Sequence, residues 1–286
     1  MDTVKLKAPA KINLTLDVLD KRSDGMHNIV SVMQTISLFD DVVIKKTILP
    51  GIRIFSNVEW LCDSNNLVYR LAEDILREYN LDCGLTIKLY KRIPIGAGLA
   101  GGSSDCATAL KCLIKLFDLK LSMAQIHRTC EKYGADVPYC FFGGTMLVKG
   151  IGNILKRLPH HSKAVVLLAK PNFFVSNKTK KIFEMFDQKN FSNSHTEKII
   201  SAIKNRNIKD IAENFSNSLE YVTANLCPQI KQIKNFMLQN DAFGACMSGS
   251  GPTVFGYFEN FNIAKKTAVK IQNKFRYVTT FVTRTL

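Results

Sequence analysis

Long apolar segments and paired cysteine motifs are both missing from this 286-residue sequence, and each absence excludes a class of protein. The longest uninterrupted apolar run, residues 164–169, is far shorter than the roughly 18 residues of a membrane span. The eight cysteines form no Cys-x-x-Cys pair, so neither a zinc site nor a disulfide framework is predicted. Asp2 and Lys11 leave no signal-peptide pattern at the start, so we expect a cytoplasmic protein without a membrane partner.

Acidic residues are scarce in the second half of the chain. Residues 1–145 hold 18 lysines and arginines against 16 acidic residues, whereas residues 146–286 hold 21 against 8, within a net charge of +15. A basic half can attract nucleic acid or an anionic small molecule. Because these lysines are scattered, without a dense cluster or an arginine-aromatic pattern, we expect no nucleic-acid partner and only a mild attraction of anions.

Hydrophobic periodicity predicts strands interleaved irregularly with helices. A capping box of Ser122 and Gln125 marks the start of one helix, which is expected to end at Gly134. The irregular order favours an α+β fold with helices on one sheet face over a parallel doubly wound sheet. The predicted strands are residues 5–18, 29–46, 52–55, 85–89, 253–258 and 277–283, with a strand pair near 140–150 and 164–169; further helices are expected at 66–79, after residue 105, and over most of 177–240 with a break near 187–195.

A glycine-rich segment between a predicted strand and a predicted helix is the strongest chemical signal. Residues 94–105 read Pro-Ile-Gly-Ala-Gly-Leu-Ala-Gly-Gly-Ser-Ser-Asp. Four glycines within seven residues let the backbone approach a bulky anion without a Cβ in the way. The N–H groups and the dipole at the start of the following helix favour the same anion. The segment is therefore predicted to bind phosphate.

Two known phosphate motifs fit the spacing of this segment but not its context. Its first three glycines match the dinucleotide fingerprint, yet Asp118 ends the following helix, where the fingerprint needs an acid at the end of a strand. A Walker loop needs a lysine where Gly102 stands. A glycine-rich turn without a ligand stays open as an alternative, although four glycines lose much backbone entropy on folding. Ser103 or Ser104 could cap the helix, contact a phosphate or ligate magnesium.

Two further segments carry candidate chemistry. Asp136 lies two residues before Pro138, which is expected to hold Val137 in extended geometry. An aspartate there is either a turn former or a base for a hydroxyl that attacks phosphorus. Residues 244–253 form a second segment of small residues, predicted as a loop between a helix and a strand. Together the two glycine-containing segments could enclose one phosphorylated ligand.

Three segments in this order resemble the galactokinase, homoserine kinase, mevalonate kinase and phosphomevalonate kinase (GHMP) superfamily. They are residues 9–14 around Lys11, the glycine-rich segment and residues 249–251, and the resemblance covers nearly the whole chain. It implies an ATP-dependent small-molecule kinase that uses Mg²⁺ and is a monomer or a homodimer. The implied fold has a ribosomal-protein-S5-domain-2-like N-terminal domain at residues 1–160 and a C-terminal ferredoxin-like α/β sandwich at residues 161–286.

Three details are sharper: the Gly-Ser-Ser-Asp ending of the glycine-rich segment, residues 24–27 (Asp-Gly-Met-His) after the first predicted strand, and residues 134–138 (Gly-Ala-Asp-Val-Pro) after the second predicted helix. Together they resemble one branch of this superfamily, which phosphorylates the 2-hydroxyl of a cytidine diphosphate-linked methylerythritol in the non-mevalonate isoprenoid pathway. The resemblance implies that Asp136 is the base for that hydroxyl and that Lys11 is its electrostatic partner. His27 is implied at the cytosine edge, with Phe183 as a stacking surface. The implied nucleotide-binding positions are Asn66, Lys91, Pro94, Gly96, Gly98, Leu99, Gly101, Gly102, Ser103 and Ser104, and the implied substrate-binding positions are Asn13, Met26, His27, Asp136, Thr179, Phe183, Gly249 and Ser250.

Three residues depart from the pattern of that branch. Met26 replaces a tyrosine that stacks on cytosine, and because a thioether can also pack on a ring, the same substrate is expected. Ala100 replaces a glycine and is expected to keep a negative φ. Cys106 replaces an alanine and is expected to pack at the helix start. The alternatives are a kinase for mevalonate or homoserine and, from other classes, a basic nucleic-acid-binding protein or, less favoured, an NAD-dependent oxidoreductase.

Overall fold

The computed structural model describes residues 2–160, 163–186 and 195–286 of the chain. These residues form two compact units that alternate along the sequence. Unit 1 takes the chain up to Ala10, Leu38–Ile95 and Ala100–Phe142, and unit 2 takes Lys11–Ser37, Gly96–Leu99 and Gly143–Leu286.

Strands and α-helices occur in the interleaved order that the periodicity predicts. The strands are β1 (Thr3–Lys21), β2 (His27–Thr47), β3 (Ile52–Ser56), β4 (Gly84–Tyr90), β5 (Thr145–Gly150), β6 (Ile154–Arg157), β7 (Val165–Pro171), β8 (Ser216–Asn217), β9 (Gly244–Met247), β10 (Val254–Phe258) and β11 (Val278–Arg284). The helices are α1 (Leu67–Glu78), α2 (Gly101–Phe117), α3 (Met123–Glu131), α4 (Val137–Phe142), α5 (Lys178–Glu184), α6 (Thr196–Lys204), α7 (Ile208–Glu213), α8 (Glu220–Leu226), α9 (Gln229–Leu238) and α10 (Phe261–Lys274).

In unit 1, a sheet has one buried and one exposed face. Strand β4 lies between β3, which runs parallel to it, and residues 41–47 of β2, which run antiparallel. Leu85, Ile87 and Leu89 of β4 are buried, whereas Lys88 is exposed, as alternation requires. Helix α1 packs against β3 and α2, and α2 packs against α4. The helices of unit 1 therefore form a layer, in agreement with the predicted α+β fold.

Local capping explains where α1 and α3 of unit 1 begin. The Asn66 side chain accepts a hydrogen bond from the Val68 amide at the start of α1. Ser122 and Gln125 form the predicted capping box of α3. The helix ends at Glu131, and Gly134 follows with a φ of +149°.

Unit 2 contains a four-stranded antiparallel sheet in the order β11-β7-β10-β9. Numbered along the chain this order is 4-1-3-2, and a helix before β9 and another before β11 complete the β-α-β-β-α-β pattern of a ferredoxin-like sandwich. Helices α9 and α10 pack on this sheet. A second set of strands joins residues 29–34 of β2 to β5, β5 to β6, and residues 15–16 of β1 to β8.

Two expectations about strands are wrong. The segments near 140–150 and 164–169 are not a pair, because β5 pairs with β2 and β6 while β7 pairs with β10 and β11, and residues 140–142 belong to α4. Residues 244–247 form strand β9 instead of a loop. Gly244 is needed there because a Cβ would lie 2.0 Å from the Ala212 carbonyl oxygen. Hydrophobic periodicity identifies a buried strand but does not choose its partner.

The predicted break near 187–195 falls mainly on residues 187–194, which lie outside the described residues. The eight cysteines are all free, and six of them are buried. Among the described helices, none combines the length and the apolar character needed to cross a bilayer.

Candidate functional site

Two glycine-containing loops pack on each other within unit 2. The first glycine loop is Gly96–Leu99, and the second glycine loop is residues 248–251. The Ser248 hydroxyl donates to the Gly98 carbonyl at 2.9 Å. Gly98 has a φ of +79°, and a Cβ there would lie 2.1 Å from the Ser248 carbonyl oxygen. Only glycine fits at that position, since both the backbone angle and the close approach exclude a side chain.

Lys11 belongs to the same group of contacts in unit 2. Its backbone amide donates to the Leu99 carbonyl at 3.2 Å, and its ammonium donates to Asn13 Oδ1 at 2.7 Å. The Asn13 side chain in turn donates to Ser31 Oγ at 2.9 Å, and the Asn13 amide donates to Ser248 Oγ at 3.4 Å. These contacts attach the predicted catalytic lysine directly to the first glycine loop and, through Asn13, to the second.

The predicted substrate-side residues of unit 2 also lie near one another. The rings of His27 and Phe183 lie 5.5 Å apart between centroids, and the Thr179 and Ser250 hydroxyls are hydrogen-bonded at 3.0 Å. Burial lowers the pKa of His27, Lys21 adds to that lowering and Asp20 opposes it. The imidazole is therefore neutral at pH 7, with one ring nitrogen as donor and the other as acceptor. Met26 is 47% exposed.

Residues 100–105 of the glycine-rich segment lie in unit 1 and form the start of α2. Ala100 is the N-cap of this helix and has a φ of +56°, so the expectation of a negative φ is wrong. The chain needs a left-handed residue to enter the helix at this point, and alanine accepts that conformation at a cost of roughly 1–2 kcal/mol. A Cβ on Gly101 would lie 3.0 Å from Cγ2 of Ile93, whereas none of the described atoms approaches within 4 Å of one on Gly102.

The two serines of the first helical turn differ in their surroundings. Ser104 is fully buried, and its hydroxyl donates to the Pro9 carbonyl at 2.7 Å. Ser103 is only half-buried. Ser104 is therefore tied to strand β1, and Ser103 is the hydroxyl that a ligand can reach without disturbing a buried hydrogen bond. Cys106 is buried at the helix start, as expected.

Lys91 forms a buried ion triad in unit 1. Its ammonium pairs with the carboxylates of Asp40 and Asp105, and its side chain is 5% exposed. Asp40 also accepts a hydrogen bond from the Ile93 amide at 2.8 Å. Burial raises the pKa of the Asp105 carboxyl to about 7 against the opposing charge of Lys91. Because Asp105 lies in α2, the triad attaches the start of that helix to β2 and to the end of β4.

Two other predicted residues of unit 1 lie at helix starts. Asn66 caps α1 with its Oδ1 and donates from Nδ2 to the Leu61 carbonyl at 2.8 Å. Asp136 is half-buried directly before α4, and its carbonyl accepts from the Cys140 amide at 3.0 Å. The expectation of an extended Val137 is wrong, because Val137 is the first residue of α4. Proline is tolerated in a first helical turn, where its missing N–H has no partner to lose.

Sequence reasoning missed Lys178, whose ammonium donates to Gly96 O at 2.6 Å and to Gly251 O. Nothing in the local pattern separates it from its neighbours Lys180 and Lys181, which are exposed. It also missed Ser31 and Ser248, whose roles depend on residues far away in the chain. Among the described residues, no group of three or more histidine, cysteine, aspartate or glutamate side chains could hold a metal ion.

Comparisons with known proteins match this arrangement to one family. The family model "GHMP kinases N terminal domain" matches residues 66–144, and "GHMP kinases C terminal" matches residues 199–276. These segments fall on either side of residue 160, where the predicted domain boundary stays a prediction.

Two proteins of similar sequence and one of similar structure are kinases of the same cytidylated methylerythritol. The 4-diphosphocytidyl-2-C-methyl-D-erythritol kinase of Acetivibrio thermocellus is 42% identical over 91% of this chain and 92% of its own length. The protein of that name from Clostridium botulinum is 41% identical over 98% and 99%. A crystal structure of 4-(cytidine 5'-diphospho)-2C-methyl-D-erythritol kinase superposes with a TM-score of 0.84 at 28% identity, covering 99% of each chain.

A homoserine kinase from Cytophaga hutchinsonii has a TM-score of 0.81 at 19% identity, covering 100% of this chain and 95% of its own, which shows the fold alone. The predicted two-domain kinase fold is confirmed by the family models and the crystal structure. The chain therefore belongs to the GHMP kinase family, within which it groups with the 4-diphosphocytidyl-2-C-methyl-D-erythritol kinases.

Proposed function

We propose that this ATP-dependent kinase transfers a phosphoryl group to the 2-hydroxyl of 4-diphosphocytidyl-2-C-methyl-D-erythritol, in the non-mevalonate isoprenoid pathway. The relatives that carry this substrate in their name support the choice of alcohol. The observation that carries the proposal is the packing of the two glycine loops in unit 2, with Lys11 attached to the first directly and to the second through Asn13. This packing joins a backbone suited to phosphate to a cation suited to a developing alkoxide.

Backbone groups are proposed to bind the triphosphate. Gly96, Gly98, Leu99 and Gly101, with Pro94 before them, are the proposed backbone contacts, and Gly96 has open space beside it that lets an anion approach closely. The first turn of α2 adds N–H groups without helical partners and the positive end of the helix dipole. Gly102 suits this contact because a ligand has open space beside it.

Magnesium fits this donor set as an ion held mainly through the nucleotide. Mg²⁺ usually keeps several waters and binds substrate phosphates with one or two protein oxygens. The half-buried Ser103 hydroxyl is an oxygen donor of that kind, whereas Ser104 is occupied with Pro9. When bound, the ion would neutralise charge on the transferring phosphoryl group.

Asp136 and Lys11 are proposed to activate the substrate hydroxyl. A carboxylate within hydrogen-bond reach can take the proton as the hydroxyl oxygen attacks phosphorus, and a nearby ammonium stabilises the charge that develops on that oxygen. The Asn13 side chain orients the Lys11 ammonium, and Asn13 is itself held by Ser31. The hydroxyl proton ends on the Asp136 carboxylate, and the bond between the γ-phosphorus and its bridging oxygen breaks.

The cytidine end of the substrate is proposed to lie against His27, Met26 and Phe183. A neutral imidazole offers one donor and one acceptor to the cytosine edge, and the neighbouring Phe183 ring offers a stacking surface. Thr179, Ser250, Gly249 and Asn13 are proposed as further substrate contacts. Asn66 and Lys91 are proposed near the nucleotide, with the Lys91 side chain acting from within its ion triad.

A coupled ADP-release assay over a panel of alcohols tests the proposal. We expect turnover with 4-diphosphocytidyl-2-C-methyl-D-erythritol at least about 10³-fold above mevalonate and homoserine in kcat/KM, because a site built to hydrogen-bond a cytosine rejects alcohols that lack it. Equal or greater turnover of mevalonate or homoserine would contradict the proposal. The cytoplasmic location, the monomer or homodimer, and the absence of nucleic-acid and membrane partners stay predictions.

A further inference from the structure

One buried lysine of unit 2 contacts both glycine loops. Lys178, the first residue of α5, places its ammonium between two backbone carbonyl oxygens, Gly96 O at 2.6 Å and Gly251 O. Gly96 begins the first glycine loop and Gly251 ends the second. Lys178 is 9% exposed. The ammonium thus connects residues that are 82 and 73 positions away from it in the chain.

The other contacts between the loops lie at a different point. The Ser248 hydroxyl binds the Gly98 carbonyl, and the Thr253 amide donates to the Ala97 carbonyl at 3.3 Å. These bonds fix the two central residues of the first glycine loop. Lys178 fixes its beginning, where Gly96 has a φ of +64° and is exposed. Without the ammonium, that end of the loop would lose its contact with the second loop.

The position of the Gly96 carbonyl decides where the next amide points. In a planar trans peptide the C=O and the following N–H point in opposite directions. Because the Gly96 carbonyl points at Lys178, the Ala97 N–H points to the other side. Phosphate-binding loops bind their ligand with such N–H groups, and a carbonyl oxygen turned toward a phosphate would repel it.

Among the described residues, no carboxylate pairs with the ammonium of Lys178. Burial lowers the pKa of its ammonium to about 8, and the neighbouring charge of Lys170 adds to the lowering. A buried cation on neutral acceptors is costly. That cost is relieved when an anionic ligand occupies the adjacent backbone.

We propose that Lys178 is a positioning residue for ATP. Its ammonium holds the Gly96 and Gly251 carbonyls together and so sets the two glycine loops in the geometry that receives the triphosphate. The inference rests on the proposed function, since it assigns the triphosphate to these loops. Lys178 acts through the backbone and takes no proton from the substrate. Its loss should therefore weaken ATP binding more than it slows phosphoryl transfer.

The test compares three substitutions at Lys178 with one on the same helix. Lys178→Met removes the charge and the donors, Lys178→Gln keeps an N–H donor without the charge, and Lys178→Arg keeps both. Lys180→Met is the matched control, because Lys180 is exposed on α5 and the charge change is the same. KM for ATP, KM for the alcohol and kcat are measured, together with the rise in Tm that ATP alone produces.

We expect Lys178→Met to raise KM for ATP about tenfold, with a smaller change in kcat and in KM for the alcohol. Its Tm should rise less with ATP than that of the unaltered chain. Lys178→Gln should raise KM for ATP about threefold or more, and Lys178→Arg should restore most of the affinity. Lys180→Met should behave as the unaltered chain.

An unchanged KM for ATP in Lys178→Met would overturn the inference. If Lys178→Met does not fold, an unchanged KM in Lys178→Gln overturns it instead. A fall in kcat together with equal rises in KM for ATP and KM for the alcohol would indicate a general disturbance of the site and would also contradict the inference. If the unaltered chain gains Tm with ATP but phosphorylates no alcohol of the panel, the proposed function fails, whereas the loss of the ATP-dependent Tm gain in Lys178→Met still supports the role of Lys178.

Discussion

Two buried lysines, one in each unit, have different kinds of partner: one binds charged carboxylates and the other binds neutral backbone carbonyls. Lys91 of unit 1 is enclosed by the carboxylates of Asp40 and Asp105, so its charge is neutralised within the protein. Lys178 of unit 2 donates to two backbone carbonyls and forms no ion pair with a described carboxylate. A neutralised cation mainly attaches elements of the fold to one another, whereas a cation on neutral acceptors keeps a positive charge that favours an anionic ligand on the adjacent backbone. The same side chain therefore serves stability in unit 1 and ligand geometry in unit 2.

The carboxylates of unit 1 also differ in role, since Asp40 and Asp105 pair with Lys91 whereas Asp136 is the proposed base. The largest expected effect comes from replacing Asp136. Asp136→Asn should lower kcat on the order of 10³-fold, because an amide cannot take the hydroxyl proton. ATP binding, read as the ATP-dependent rise in Tm, should not change. Asp118→Asn is the control, since Asp118 is an exposed carboxylate of the same unit. Normal turnover by Asp136→Asn would remove Asp136 from the role of base.

The second prediction is that loss of the Lys91 ammonium strongly lowers the free energy of unfolding. Lys91→Met leaves two buried carboxylates without their cation, which we expect to lower the free energy of unfolding by about 3–5 kcal/mol. The measurement is urea denaturation at pH 7. Lys88→Met on the exposed face of β4 is the matched control and should change stability by less than about 0.5 kcal/mol. If Lys178→Met lost as much stability as Lys91→Met, the contrast between the two lysines would be wrong.

The raised pKa of Asp105 predicts a pH dependence with a definite sign. The pKa is about 7 in the folded protein, above the roughly 3.9 of an unfolded chain, so the folded state binds more protons between those values. Asp105 therefore makes the free energy of unfolding fall as pH rises from about 4 to about 7. Asp105→Asn should remove this contribution, on the order of 3 kcal/mol, from the difference between denaturation at pH 4 and at pH 7. The Asp118→Asn variant should keep the pH dependence of the unaltered chain.

The smallest effect concerns the left-handed residue at the start of α2. Ala100→Gly should raise the free energy of unfolding by about 0.5–1 kcal/mol, because the relief of backbone strain exceeds the added entropy of the unfolded glycine. Ala97→Gly in the same glycine-rich segment is the control, since Ala97 is buried and a glycine there loses packing. It should destabilise the protein in thermal unfolding. An equal loss of stability in both variants would mean that Ala100 carries no strain.

Much of the fold could be predicted from local patterns. Alternation located β1, β2, β3 and β4, and a capping box located α3, because side-chain periodicity and capping depend on a few adjacent residues. The partners of β5 and β7 could not be predicted in this way, since pairing depends on residues far apart in the chain. The small residues at 244–247 were expected in a loop because nothing in their own segment shows that they lie buried beside β10.

In the candidate site, too, local sequence predicted some features, and others depended on contacts between distant residues. The sequence by itself determined the glycine-rich segment, Lys11, Asp136 and the family they indicate, because residue type and local spacing carry that information. Only the tertiary structure decided that Lys91 is enclosed by carboxylates, that Ser104 is tied to Pro9 and that Lys178 joins two glycine loops. Those contacts connect residues 14 to 95 positions apart, and what a buried charge does depends on which groups surround it in space.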